Sequence, residues 1–217
     1  MEISCQAILF DNDGVLVDSH AQVIATWTQL AEEFGLDAEV LLTEMVGRPS
    51  AETLSDHLGP DRLGSAVQRL EDLEVELAAV TPAIAGALEL TAALPSGRWA
   101  IATSASRRLA NARWAGAGIT PPAATITADD ISKGKPDPEP FLAAARLLHA
   151  DPATCVVFED SPPGGQAGVA AGATVIAVGD QPWDFEPAAR VPDLSAVTIK
   201  TDVNGTLTLH IPNANSK

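Results

Sequence analysis

Apolar residues recur along this chain with two different periods, and the change between them organises it. Ala7, Ile8, Leu9 and Phe10 form an unbroken apolar run, which predicts a strand buried on both faces, as in a parallel sheet. The pattern then becomes helical. Val23, Trp27, Leu30 and Phe34 share one face after a cap at Asp18 or Ser19, and Gly35 stops the helix. A second helix is expected over 37–46, ended by Gly47-Arg48-Pro49, and a third starts at Ser50 and stops at Gly59. A fourth, over 61–80, carries Leu63, Val67, Leu70, Leu77 and Val80. These four helices predict an inserted helical cap domain over 18–81, and Thr81-Pro82 marks the return to a core domain made of 1–17 and 82–217.

From there strands and helices alternate. Helices are expected over 84–94, 107–115, 139–148 and 164–171, and strands over 99–103, 124–127, 155–158 and 174–178. Repeats of this length predict an α/β fold with a Rossmann-like, doubly wound parallel sheet. Apolar runs at 197–200 and 206–211 flank Asn204-Gly205, which predicts a C-terminal β-hairpin added at the sheet edge.

Composition narrows the class. The 217 residues suffice for one sizeable core and a small accessory domain. The net charge of −16 argues against nucleic acid as a partner. No run of 18 apolar residues suggests a membrane span, and the N-terminus, which runs straight into a strand, shows no signal peptide. Cys5 and Cys155 lie in apolar runs without C-x-x-C spacing, which fits a reducing, cytoplasmic setting. His20, His57, His149 and His210 lack ligand spacing and are expected at the surface or in packing.

The chemistry gathers at strand ends. Asp11 and Asp13 follow the first apolar run and, two residues apart, point the same way off its end, where open α/β sheets bind ligands. Paired acids of this kind call for a hard cation such as Mg²⁺. Gly14 permits a sharp turn beside them. At the next strand end, Thr103-Ser104-Ala105-Ser106 runs into a helix, where a hydroxyl beside free amides suits a phosphate oxygen or serves as an ordinary cap. Lys135 precedes a proline that opens a helix, in a chain with only 13 lysines and arginines to spend on an anion. Glu159 and Asp160 repeat the first arrangement, with acids after a buried strand.

Phe10-Asp11-Asn12-Asp13-Gly14, Ser104, Gly134-Lys135-Pro136 and Glu159-Asp160-Ser161 together resemble, in order, the four motifs of the haloacid dehalogenase (HAD) superfamily with a helical cap. Asp18-Ser19, Trp27, 126–130 and 134–141 look most like its sugar- and polyol-phosphate phosphatases, with β-phosphoglucomutase a close cousin. The resemblance implies a small phosphorylated metabolite as substrate, Mg²⁺ as cofactor, and a monomer or weak dimer. It implies Asp11 as nucleophile and Asp13 as general acid and base. Asp11, the Asp13 backbone carbonyl and Asp160, with Glu159 beside them, would hold the metal. Ser104, preferred to Thr103, with Ala105 next to it, and Lys135 would bind phosphate, and Lys135 would keep Asp11 ionised by lowering its pKa.

Other readings differ in the residues they require. A dehalogenase does not need Asp13, and a phosphonatase needs a cap lysine that 18–80 lacks. A phosphomutase is the alternative, because Arg48 in the cap could clamp a second phosphate, although the mutase's cap histidine would fall on Val23. A non-enzymatic phosphate-binding interaction protein would be expected to have lost some of these acids, and all are present.

Overall fold

In a computed structural model, residues 1–45, 49–203 and 205–211 are described. The elements run β1 (Glu2–Cys5), β2 (Ala7–Phe10), α1 (His20–Phe34), α2 (Ala38–Glu44), α3 (Ser50–Ser55), α4 (Pro60–Ala78), α5 (Ala87–Ala93), β3 (Trp99–Ala102), α6 (Arg107–Ala117), β4 (Thr125–Ile126), α7 (Glu139–Leu147), β5 (Cys155–Glu159), α8 (Pro162–Ala170), β6 (Thr174–Val178), β7 (Ala189–Val191), β8 (Thr198–Thr201) and β9 (Leu207–His210). Six strands form one sheet in the order β4-β3-β2-β5-β6-β7, with every pair parallel. The chain fills one side of β2 with β3 and β4, then crosses to the other with β5. This reversal opens a crevice at the carboxyl end of β2.

Alternation along β2 builds the two core layers. Ile8 and Phe10 join one apolar cluster, with Ile101, Phe158, Leu109 and Trp114. Ala7 and Leu9 join the other, with Ala100, Val157 and Phe141. Phe10 stacks on Phe158 at 5.3 Å between ring centres and meets Trp99 edge-on at 6.0 Å. Helices α1–α4 pack around a third cluster of their own, which includes Trp27, Leu30, Leu41, Leu54, Leu70 and Leu73. The segments entering and leaving these helices run side by side: the Asp18 amide donates to Pro82 O at 2.9 Å, and the Ile84 amide to Leu16 O at 2.9 Å. No helix among the described residues is long and apolar enough to cross a membrane.

Three expectations change. The C-terminal hairpin does not extend the main sheet. It forms a separate antiparallel sheet, β1-β9-β8, with Cys5 opposite Leu207 and Glu2 opposite His210. Leu207 and Leu209 bury their side chains in the first core cluster, which draws the hairpin under the core rather than along its edge. Helix α5 begins at Ala87, not at 84, because Gly86 is left-handed at φ 82° and packs against the backbone of Leu194 and Ser195. Strand β7 was not expected, since Ala-Arg-Val is too short and mixed to stand out. The predicted stop at Gly47-Arg48-Pro49 and the turn residue Asn204 lie wholly or partly outside the described residues.

Candidate active site

The loop after β2 is folded around Asn12. Its carbonyl accepts from the amides of Leu16 and Val17 at 2.8 and 2.9 Å, while Gly14 turns at φ 75°. A Cβ on Gly14 would lie 2.1 Å from Asp160 Oδ2, so glycine is what lets the β2 and β5 loops meet. Asp11 is anchored by its own amide, which donates to Phe158 O at 2.9 Å.

The meeting point gathers three acids. Ligand oxygens of Asp11, Glu159 and Asp160 lie within 4.8 Å of one another. Lys135 sits between two of them: its ammonium pairs with Asp11 Oδ1 and reaches Glu159 Oε1 at 2.6 Å, above the Phe141 ring. The other Glu159 oxygen accepts from the amide and hydroxyl of Ser161 at 2.7 and 2.9 Å. A Cβ on Gly164 would lie 1.6 Å from Glu159 Oε1, so this carboxylate fills the space a side chain would take at the start of α8.

Burial pushes the Asp11 carboxyl up to about 7; Lys135 opposes this, while Glu159 and Asp13 add to it. Burial likewise raises Asp160 to about 8, helped by Asp11 and Glu159. For Lys135 burial acts downward, but Asp11 and Glu159 outweigh it and hold the ammonium above the usual lysine range. The expectation that Lys135 lowers the Asp11 pKa and keeps it ionised is thus corrected: the lysine pulls downward, but burial outweighs it and the net shift is upward. Three acids sharing one ammonium, all with hard oxygen donors, suit an added divalent cation such as Mg²⁺.

Asp13 points elsewhere. Its Oδ1 accepts from the Ser19 hydroxyl at 2.6 Å and lies 2.8 Å from Arg113 Nη1. Ser19 stands at the N-cap of α1, but its side chain caps no helix amide; its hydroxyl donates to Asp13. Thr103 is buried and accepts from the Ala105 amide at 3.1 Å, whereas Ser104 is exposed at the cavity wall. That contact turns the Ala105 amide toward Thr103, and Ala105 is not among the residues lining the cavity.

Asp11, Asp13, Ser104, Lys135, Glu159 and Asp160 all line one cavity of about 350 Å³. An adjoining one of about 410 Å³ shares Ser104, Lys135 and Ser161 with it and is also lined by Pro49, Ile131 and Pro163. Arg48 lies outside the described residues. Two residues escaped the sequence reading. His20, expected only as a surface or packing residue, lines the cavity from α1. Arg113 sits on the buried face of α6, where an arginine in phase with Leu109, Ala110 and Ala117 was a usable signal.

The model of the haloacid dehalogenase-like hydrolase family matches residues 5–172. The chain belongs to this family. Among HAD relatives, hexitol phosphatase A of Escherichia coli is 36% identical over 209 residues, covering 93% of this chain and 97% of that protein. The 2-deoxyglucose-6-phosphate phosphatase 1 of Saccharomyces cerevisiae is 32% identical, with 94% of each chain covered. A solved structure of a candidate β-phosphoglucomutase from Thermotoga maritima superposes with a TM-score of 0.67 at 26% identity, covering 88% of this chain and 95% of that one.

Proposed function

We propose that this HAD hydrolase is a metal-dependent phosphatase that cleaves a small phosphorylated sugar or polyol through an aspartyl phosphate. One observation carries the reading: Asp11, Glu159 and Asp160 gather at the end of the central strands, with Lys135 paired to the first two, beside an open cavity. The similarity to hexitol and 2-deoxyglucose-6-phosphate phosphatases supports the substrate class. Among the described residues lining the cavity, Lys135 is the one permanently charged cation, which suits a substrate with a single phosphate.

In this reading Asp11 attacks phosphorus, the P–O ester bond breaks, and Asp13 gives its proton to the departing alkoxide. Asp13 then takes a proton from the water that attacks the aspartyl phosphate, which frees Asp11 and releases phosphate. Ser104 and Lys135 hold the transferring oxygens through a loose transition state. Glu159, occupied on both oxygens, anchors Lys135. Asp11, the Asp13 carbonyl and Asp160 would hold Mg²⁺, whose charge, when bound, offsets the repulsion between carboxylates and phosphate. Residues 18–81 act as a cap domain over this site and contribute leaving-group contacts.

A phosphate-release screen over hexose, pentose, polyol and nucleotide monophosphates with Mg²⁺ tests the reading. Sugar or polyol phosphates should exceed nucleotides in kcat/KM by about tenfold or more. Interconversion of sugar phosphates with little free phosphate would favour a mutase instead. Asp13→Asn should slow turnover of sugar phosphates by about 10²–10⁴-fold, and p-nitrophenyl phosphate much less, because a phenolate needs little protonation. Equal losses on both substrates would remove Asp13 from the leaving-group step.

Stability should report the metal independently of turnover. Asp11 and Asp160 have raised pKa values in the folded state, so their contribution to stability is complete below the ordinary carboxylate value of 3.8. It is lost as pH rises through about 7 and about 8. The metal-free protein should therefore lose thermal stability between about pH 4 and about pH 8. A cation must displace those protons, so Mg²⁺ should raise Tm more at about pH 8.5 than at about pH 5.5. Scanning calorimetry in EDTA and in Mg²⁺ checks this; an equal rise at both values counts against the acidic site.

A further inference from the structure

Helix α6 carries a charge where its pattern calls for an apolar residue. Leu109, Ala110, Arg113, Trp114 and Ala117 form its buried face, and Arg113 is only 4% exposed. A buried guanidinium is costly unless its charge is met, and here two acids meet it. Nη1 lies 2.8 Å from Asp13 Oδ1, and Nη2 lies 3.1 Å from Glu74 Oε1 on α4. The neighbouring residue acts in parallel: the Trp114 indole N–H donates to Asn12 Oδ1 at 2.7 Å in a fully buried contact. Two consecutive residues of α6 thus grip two consecutive residues of the loop that follows β2.

The other end of Arg113 leads to the helical insertion. Glu74 is one of three acids on α4 that face α6; the Ser106 hydroxyl donates to Glu71 Oε1 at 2.5 Å, and Arg108 Nη1 lies 2.6 Å from Asp72 Oδ1. Arg108 is half exposed and Arg113 is not, so Arg113 is the member of this ladder that reaches inward.

We propose that Arg113 is a positioning residue for the Asp13 carboxyl, and that Glu74 ties that position to α4. The inference rests on the acid–base role proposed for Asp13. A guanidinium presents its N–H groups in a fixed plane, so one that holds Glu74 with Nη2 restricts where Nη1 can place a second carboxylate. Without it, among the described residues, Asp13 keeps the Ser19 hydroxyl at 2.6 Å and the Asn12 amide at 3.2 Å as side-chain partners, and its rotamer is less defined. Proton transfer demands hydrogen-bond reach to the leaving oxygen, so the loss should appear where a proton must be delivered. Arg113 is not among the residues lining the cavity, so substrate affinity should change little.

The experiment compares kcat and KM on a polyol or sugar phosphate with those on p-nitrophenyl phosphate. The variants are Asp13→Asn, Arg113→Met with Glu74→Gln, and all three substitutions together; removing both buried charges at once avoids stranding Glu74. The Arg113/Glu74 variant should lose about 10- to 100-fold in kcat on the sugar phosphate but clearly less on p-nitrophenyl phosphate, with KM within about threefold. In the triple variant this loss should not multiply with that of Asp13→Asn, because both act through one carboxyl. Equal losses on both substrates, or multiplied losses in the triple variant, would overturn the proposal. If Asp13→Asn itself ignores the leaving group, the acid–base reading fails. If Asp13→Asn discriminates and the Arg113 variant does not, only the role of Arg113 fails. Should that variant not fold, Arg113→Lys keeps the charge without spanning both acids and carries the same comparison.

Discussion

Asp11→Asn is expected to lower kcat by at least about 10⁴-fold while leaving the fold intact. The substitution hardly changes volume, and the neighbouring backbone contact, from the Asp11 amide to Phe158 O, survives it. What disappears is the oxygen nucleophile at the strand end, and Glu159 cannot stand in for it, being committed to Lys135 and Ser161. Brief mixing of the parent with substrate should add the mass of one phosphoryl group to the intact protein, and the variant should show none. Removing one of three crowded acids also relieves repulsion, so the metal-free variant should melt no lower than the parent at about pH 8. Parent-level phosphate release by Asp11→Asn would end the covalent mechanism.

Lys135→Met should damage stability and activity together. Lys135 is the ammonium between Asp11 and Glu159, and all three side chains are largely buried. Methionine fills much of the same space over the Phe141 ring but leaves two acids facing each other without compensation. Breaking a buried pair from one side costs about 3–5 kcal/mol. Urea denaturation in EDTA at about pH 8 should show a loss of that size, and it should shrink toward about pH 5, where the acids can take up protons. Loss of a preorganised charge on the transferring phosphoryl group should cost about 10²–10³-fold in kcat. A variant as stable as the parent, with kcat within about threefold, would leave Lys135 without either role.

The site was legible where its parts are local. Asp11, Ser104 and Asp160 each stand directly after, or one or two residues beyond, a short apolar strand, so a buried run followed by a polar residue marks them without any tertiary knowledge. Lys135 was marked by scarcity in an acidic chain. Arg113 was not found because its meaning lies in its partners: Asp13 is 100 residues away and Glu74 belongs to another helix, and no local period encodes either. The same limit applies to the fold. The hairpin is written in its turn and flanking runs, but its partner β1 is decided by packing of Leu207 and Leu209 under the core. Thr103 and Ser104 are nearly equivalent as letters; only the exposure of their side chains separates them.

The pairing of β1 with β9 bears on how the protein is made. A ribosome delivers Asp11 well before the groups that meet it: Lys135 is 124 residues behind, and Trp114, which secures the adjoining Asn12, is 102 behind. Strand β2 needs β3 and β5 on its flanks, and β1 waits for residues 207–210. Nascent chains released before β9 emerges would carry Asp11 after a strand whose leading neighbour lacks its partner. Helices α1–α4, by contrast, draw on contacts close in sequence and can assemble during synthesis. Asp11 and Asp13 thus emerge about 100 residues or more before Lys135, Arg113, Glu159 and Asp160, and are drawn together with them only late.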